Sequence, residues 1–542
     1  MRVSNYRRAV WVVVLLIAQQ AFAQAAQSSA GGATAEQALD AAAAFVQKGQ
    51  FSEAATLARK AVALAPNSAV AHNLLGLTEE QLKHPVTAQA EYLRAIRLDP
   101  KFAAAHANLG NLLLAEGKPG PAQMQLQKAV TLDPSNARAH YDLALVLIKL
   151  NDYARAADQF EAVQKLRADD PTVALMFAGA ALKAGETERA LKAADLAIAA
   201  HSQDAKILFN LALLLAQNAQ YEKAAELFSR VNQLQPGTAE VLYNLGVAEH
   251  NLKHLDAAAS ALAEAADLKP DLTEAHFRLG LIASERLDHE NGVIEFQHSI
   301  DHAPNRAQYY YLLGREQFAV GRWEQAAASY GKAADLDPKQ ALYALSLGNA
   351  LFRAENYAAA AKAFETTAQL DPKTEDIQYL IGYCDRVQGK MDEARSHMQQ
   401  QLQSDPKHVK ALDSLGFILL EQGDPAGAQA QLEKAAALAP DDVDVLFDLA
   451  RTYSRGKQVD KAIETFQRVL RLSPENSQAH YQLFLLYNRS QRVEEGKKEM
   501  AQFQRLQEMD KMVRREETAL SRMRKAEADR GATQNSNSGD AR

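Results

Sequence analysis

Cysteine is almost missing from this chain: Cys384 stands alone in 542 residues. No internal disulfide can form, and no paired-cysteine metal site exists. In an oxidising compartment a lone thiol is stable only if buried or paired between molecules. Cys384 follows Gly382 and Tyr383 on a predicted helix, so burial is expected. An excess of basic charge is missing too. The formal net charge is −7, which argues against a sequence-independent nucleic-acid binder. No run of alternating β-branched residues bounded by turns occurs, which excludes a sheet and a C-terminal β-barrel. Beyond the first residues no apolar segment reaches membrane-spanning length. A phosphate-cradling glycine loop and a nucleophile elbow are both absent.

What the sequence does have is a period. Pro66, Pro100 and Pro134 are followed by Pro236, Pro270, Pro304, Pro338, Pro372, Pro406, Pro440 and Pro474, all on a beat of 34 residues. Ala168 and Ser202 keep the beat across the gap, so no residue is gained or lost. Counting places from Ala35, the eighth holds Gly76, Gly110, Ala144, Ala178, Ala212, Gly246, Gly280, Gly314, Gly348, Gly382, Gly416 and Ala450. The twentieth is alanine in every copy from Ala54 to Ala462 except Gly292. The seventh is mostly leucine, and the twenty-fourth is often aromatic: Tyr92, Phe160, Phe228, Phe296, Tyr330, Phe364 and Phe466. Large knobs beside small holes, at helical spacing, predict two helices crossing closely in each unit.

This pattern, closed by its proline, resembles the tetratricopeptide repeat, a helix-turn-helix unit of the same length. The resemblance covers about thirteen full units from Ala35 to Asn476 and a degenerate fourteenth, where Phe484 replaces the small residue and Gly496 keeps the later one. It implies an all-α fold, an α-solenoid in the form of a right-handed superhelix. Where the family often has tryptophan near the start of the unit, this chain has His72, His106, His140, His276 or His480, or another residue. Packed side chains are expected there. Gly49, Gly117, Gly185, Gly321, Gly389 and Gly423 mark turns at the fifteenth place, where a helix end favours positive φ. Asp170 before Pro171 offers a helix cap and a first-turn proline.

Outside the array, Arg2, Arg7 and Arg8 precede an apolar stretch from Ala9 to Ala18 and an Ala21-Phe22-Ala23 cleavage site. Residues 1–23 therefore read as a secretory signal, with an uncleaved inner-membrane anchor as the alternative. Residues 24–34 read as a flexible linker and 35–510 as the repeat array. Residues 511–530 read as a capping helix that covers the apolar end of the stack, with contact to a membrane surface or partner helix as the alternative. Residues 531–542 read as a disordered tail. The mature protein is expected to be periplasmic or extracellular, with no transmembrane segment.

In the resembling family the first helices of successive units line a concave surface that binds extended peptides or partner helices. The fifth place here carries Tyr141, Phe209, Tyr243, Phe277, Tyr311, Tyr379, Phe447 and Tyr481, off the main apolar stripe. They give contact area at low entropy cost. Packing between neighbouring first helices is the competing reading. Asn108, Asn210 and Asn244 hold the sixth place, where the family's asparagines can grip a peptide backbone. Asp142, Arg278, Ser346 and Asp448 interrupt that ladder. Arg278, Arg315 and Arg451, with Arg353, Arg386, Arg455 and Arg489, fall on or beside the same side and suggest an acidic partner segment. The family's carboxylate clamp is not assembled: Asn111 and Asn349 are paired with Ala107 and Leu345.

Metal chemistry has only two openings, His250 with His254 and His298 with His302, each one helical turn apart. No third ligand is indicated, so no cofactor and no metal are expected. The function expected is a non-enzymatic scaffold in the cell envelope that holds an extended peptide or partner protein. An accessory role in an envelope secretion or assembly system, such as exopolysaccharide or pilus export, is the alternative. A metal-dependent enzyme using the histidine pairs is the third reading, and no nucleic-acid partner is expected.

Overall fold

The computed structural model describes residues 32–537 apart from 168, 169 and 202. Within them the period becomes twenty-eight α-helices, from α1 (Gly32–Gln47) to α28 (Val493–Asn537), two to each repeat. No strand occurs among the described residues. Several first helices begin where a polar side chain accepts a bond from a free amide of the first turn. Asn136 accepts from the Ala139 amide at 3.0 Å, Asn476 from Ala479 at 2.9 Å, and Asp170 from Thr172 at 3.0 Å just ahead of Pro171.

The turn to the second helix has one shape throughout: the fifteenth place has positive φ in all fourteen repeats. Glycine fills it six times, as its freedom in the left-handed region predicts. Elsewhere Lys83, Asn151, Ala219, Lys253, Leu287, Glu355, Lys457 and Gln491 adopt the same conformation. The hairpin geometry therefore overrides a local strain of about 1 kcal/mol.

Where the eighth place is glycine it meets the twenty-fourth across the hairpin. A Cβ built on Gly348 would sit 2.5 Å from the ring of Phe364, and one on Gly416 would sit 2.4 Å from Leu432 Cγ. Phe364 and Leu432 are fully buried. Ala144, Ala212 and Ala450 oppose Phe160, Phe228 and Phe466 with no exposure of either partner. The alanine crossings thus hold one methyl group, and the glycine crossings leave no room for it.

A polar staple reinforces several crossings. His72 Nδ1 lies 2.6 Å from Glu91 Oε2, and its Nε2 lies 3.0 Å from the Pro66 carbonyl. His106 does the same with Gln125 and Pro100, His140 with Gln159 and Pro134, and His480 with Glu499 and Pro474. One repeat exchanges the partners: Gln378 stands on the first helix and His397 on the second, 2.8 Å apart. His72, His106, His140 and His480 at the fourth place are thus packing residues.

The chain divides into two compact units, Met1–Ala275 and His276–Arg542. In each, consecutive helices pack on one another. First helices of adjoining repeats also touch. This holds in the first unit for α3 (Ala69–Gln81), α5 (Ala103–Ala115) and α7 (Ala137–Lys149), and in the second for α21 (Ile377–Val387), α23 (Val409–Glu421) and α25 (Val443–Arg455). The first helices thus share one face within each unit. Cys384 on α21 is fully buried, and burial, with Asp385 beside it, pushes its thiol up to about 12.

The ends depart from expectation. The secretory-signal reading of residues 1–23 falls outside the described residues. Gly32 to Thr34, assigned to the linker, already belong to α1, and residues 531–537, assigned to the tail, belong to α28. Residues 511–530 are not a separate capping helix. The second helix of the fourteenth repeat runs on unbroken, because no glycine or proline interrupts it from Lys497 to Arg530. Phe503 and Leu506 are half-buried, while Met509, Met512, Val513 and Leu520 are exposed. That part of the stripe does not cover the stack. No helix among the described residues is long and apolar enough to cross a membrane.

Candidate functional site

Aromatic residues at the fifth place point along the shared first-helix face, but their rings are already occupied on one side. In the first unit Tyr141 meets Phe160 edge-on at 5.7 Å between centroids, and Phe209 meets Phe228 at 5.8 Å. Tyr243 is half-buried as well. In the second unit Phe277 sits between Phe296 (6.0 Å) and Tyr309 (4.9 Å), and Tyr311 between Tyr330 (5.7 Å) and Tyr343 (5.2 Å). Tyr379 contacts Tyr383 and His408, Phe447 contacts Phe466, and Tyr481 contacts Phe484 and Phe503. Burial pushes the Tyr379 hydroxyl up to about 12. These rings bridge helices, and each leaves only a part-exposed edge for anything else.

The asparagines divide in three ways. Asn108 Nδ2 donates to Asn73 Oδ1 across α5 and α3 at 3.0 Å. Asn244 Nδ2 donates to the Glu240 carbonyl of its own helix at 2.7 Å, and Asn210 is exposed. Asn111, set aside with the missing clamp, donates to Asp142 Oδ2 at 2.7 Å, and Arg138 Nε donates to the same oxygen at 2.7 Å. Burial raises the Asp142 carboxyl above its ordinary range against the pull of Arg138 and Asn111. Polar residues on α3, α5 and α7 thus bind each other. Asn73 escaped the sequence reading because it stands at the fifth place, among the aromatics.

In the second unit the arginines are mostly neutralised. Arg315 donates to Glu316 Oε1 at 2.8 Å and to Ser284 Oγ at 3.0 Å. Glu316, almost fully buried, also takes His289 Nδ1 at 2.7 Å. Burial works to raise this carboxyl, but the bonds from His289, Ser284 and Arg315 outweigh it and hold it low. These residues line a shallow hollow with Leu281, Glu285 and Ala319. Arg451 bonds Glu421 at 3.0 Å and Asp448 at 3.1 Å, and Arg455 bonds Glu421 at 3.1 Å. Arg353 lies over Trp323 at 5.5 Å, and Arg278 is half-buried. Much of the positive face expected for an acidic segment is therefore spent on internal carboxylates.

One place differs. On α21, α23 and α25, Arg386 lies over the rings of Tyr383 (4.8 Å) and Phe417 (5.0 Å), and Arg451 over the other reach of Phe417 (5.5 Å). Between them stands Asp413. Its Oδ1 and the Arg386 Nε are buried with no hydrogen-bond partner. Burial, then Asp448 and Asp442, push the Asp413 carboxyl up to about 7, against the pull of Arg386. Asp448 is also raised, by burial, with Arg451 opposing. A donor and an acceptor left unsatisfied among aromatic rings is an uncommon arrangement in folded chains. Sequence reasoning named Arg386, Asp448 and Arg451 but missed Asp413 and Phe417. Their places, five and nine, were the available signal.

Helix pairs of fixed length, small residues at every crossing and a shared first-helix face define a helical-repeat protein. Tetratricopeptide repeat models match residues 39–101, 108–171, 175–237, 311–375 and 345–409, with further repeat models at 239–272 and 419–481. The chain belongs to the tetratricopeptide repeat family, whose members generally serve as protein–protein interaction scaffolds and are typically non-enzymatic. No match was found among curated proteins. Among solved structures, PilF of Pseudomonas aeruginosa is 26% identical over 39% of this chain and 97% of its own, with a TM-score of 0.32. MamA of Desulfovibrio magneticus RS-1 is 24% identical over 32% and 97%, with a TM-score of 0.29. Yeast Tom70 is 18% identical over 78% and 96%, with a TM-score of 0.30.

Proposed function

We propose that this protein is a non-enzymatic scaffold of the cell envelope that holds an extended peptide segment of a partner protein against its first-helix face. The contact centres on α21, α23 and α25. The observation that carries this reading is the orphaned pair, Arg386 Nε and Asp413 Oδ1, set among Tyr383, Phe417 and Arg451. An extended peptide offers a carbonyl acceptor and an amide donor in every residue, so one strand of backbone can satisfy both atoms. Both atoms are covered, so the side chains turn on binding. The flanking rings supply apolar contact for the peptide's side chains. Placement in the envelope rests on the sequence of residues 1–23.

A library of random extended peptides selected on the full-length protein tests the site. Selected peptides should bind Arg386→Met at least about ten-fold more weakly, since one buried bond to a charged donor is worth about 1.5–3 kcal/mol. The variant keeps an apolar stem over Phe417. Equal binding by the variant, or a library that yields no enriched peptide, would count against this surface. Mass measurement of the exported protein tests the location: a chain still carrying residues 1–23 would remove the argument for signal cleavage.

A further inference from the structure

We propose that His276, Glu295 and His298 form a binding site for one divalent transition-metal ion, with zinc as the representative ligand. Each residue offers one ligand atom, and the three atoms lie within 4.8 Å of one another. His276 Nδ1 stands 2.8 Å from Glu295 Oε2, and the His276 and His298 rings meet edge-on at 5.0 Å. All three belong to one hairpin, α15 (Thr273–Glu285) and α16 (His289–His302).

Repeat architecture accounts for two of these residues and not for the third. The pair at places four and twenty-three is the staple seen in His72–Glu91 and His480–Glu499. At place twenty-six the other histidine-stapled repeats carry Arg94, Lys128, Ala162 and Gln502. Only the repeat beginning at Thr273 puts a histidine there, one turn beyond the glutamate. The staple thus fixes an imidazole and a carboxylate, and His298 adds a second imidazole from the exposed side.

Two imidazoles and one carboxylate are the donor set of open zinc sites, which keep a fourth position for water. Nitrogen donors favour zinc, copper or nickel over calcium and magnesium. Tetrahedral bonds of about 2.0–2.1 Å place donors about 3.3 Å apart, so the 2.8 Å pair of His276 and Glu295 must open slightly while His298 closes in. His298 is exposed and can swing inward without disturbing the core. His302 lies one further turn along α16 and is also exposed, within the same helix face. The ion would take the place of the hydrogen bond between His276 Nδ1 and Glu295 Oε2.

The test uses metal-stripped full-length protein titrated with zinc chloride by calorimetry. Wild type should take up one zinc per chain at this site, and His298→Ala should lose at least about ten-fold in affinity for it. Glu295→Gln should weaken zinc to a similar degree while leaving metal-free thermal unfolding unchanged, because His106 and Gln125 already form a neutral staple at 2.7 Å. His254→Ala, at the other histidine pair, should leave the affinity unchanged. Absence of uptake at about 100 μM zinc, equal affinity in His298→Ala, or a loss that follows His254→Ala instead would overturn the site.

Discussion

Replacing Asp413 by asparagine should stabilise the α23 region at pH 8 far more than at pH 5. The side chain is the same size, so packing against Phe417 and Arg386 is kept while the charge is removed. In the folded chain the carboxyl ionises near 7, whereas an unperturbed one does so near 3.8. Between those values the folded state binds more protons than the unfolded state. Stability therefore falls as pH rises through that window and levels off above it. Integrating the two titrations gives a penalty of about 4 kcal/mol at pH 8 and about 1.7 kcal/mol at pH 5. The difference, about 2.5 kcal/mol, is what the substitution should reveal. Any pH-independent cost of the asparagine cancels in the comparison.

Burial sets the sign, and the facing groups add to it: Asp448 on α25, Asp442 at its start and Asp444 in its first turn oppose ionisation, while Arg386 on α21 favours it. Hydrogen exchange read by mass spectrometry on peptides of α23 is the suitable assay, since a long repeat array need not unfold as one unit. Comparing variant with wild type at each pH removes the chemical exchange rate. The ratio of protection should grow about 70-fold from pH 5 to pH 8. The same ratio at both pH values would refute the reasoning, because it would mean that Asp413 ionises normally in the folded chain.

Two further substitutions probe the repeat itself. Ala326, fully buried beside Ala327, Tyr330 and Ala350, has no room for a larger side chain, and Ala326→Leu should cost about 1–3 kcal/mol; an unchanged melting temperature would show that the crossing is not tight. Leu287 holds φ of 60° in a turn and is 76% exposed. Leu287→Gly should relieve left-handed strain and stabilise by about 0.5–1 kcal/mol net of glycine's entropy. A loss of stability in thermal or denaturant unfolding would contradict that.

Much of the architecture was legible in the sequence because one physical constraint repeats. Gly348 beneath Phe364 and Gly416 beneath Leu432 leave a mark at fixed places, and a mark repeated a dozen times is hard to mistake. The turns were half-legible. Glycine announced Gly117 and Gly389, but Leu287 and Ala219 bend the same way only because packed helices on both sides leave no alternative. The site was less legible. Tyr311 could be placed on the face from its register, yet its contact with Tyr343 depends on the next repeat's third place. Arg451 was visible as a cation, while its bond to Glu421 on the neighbouring first helix and its bond to Asp448 one turn back on its own helix cancel most of what its charge offered. At the C-terminal end, spacing of apolar residues suggested a separate capping helix, but spacing carries no information on where a helix begins or on whether something covers it.

The exchanged staple of Gln378 and His397 has a consequence for how such arrays tolerate change. The bond survives with donor and acceptor side chains trading helices, so the helix crossing holds the specification, and each residue is one of two acceptable fillings. Passing between the two fillings one mutation at a time requires an intermediate with either two glutamines or two imidazoles across the crossing. Both intermediates can still share a proton. A neutral corridor of this kind lets copies of one hairpin drift apart in sequence while their backbones stay superimposable, and it leaves individual copies free to acquire private chemistry.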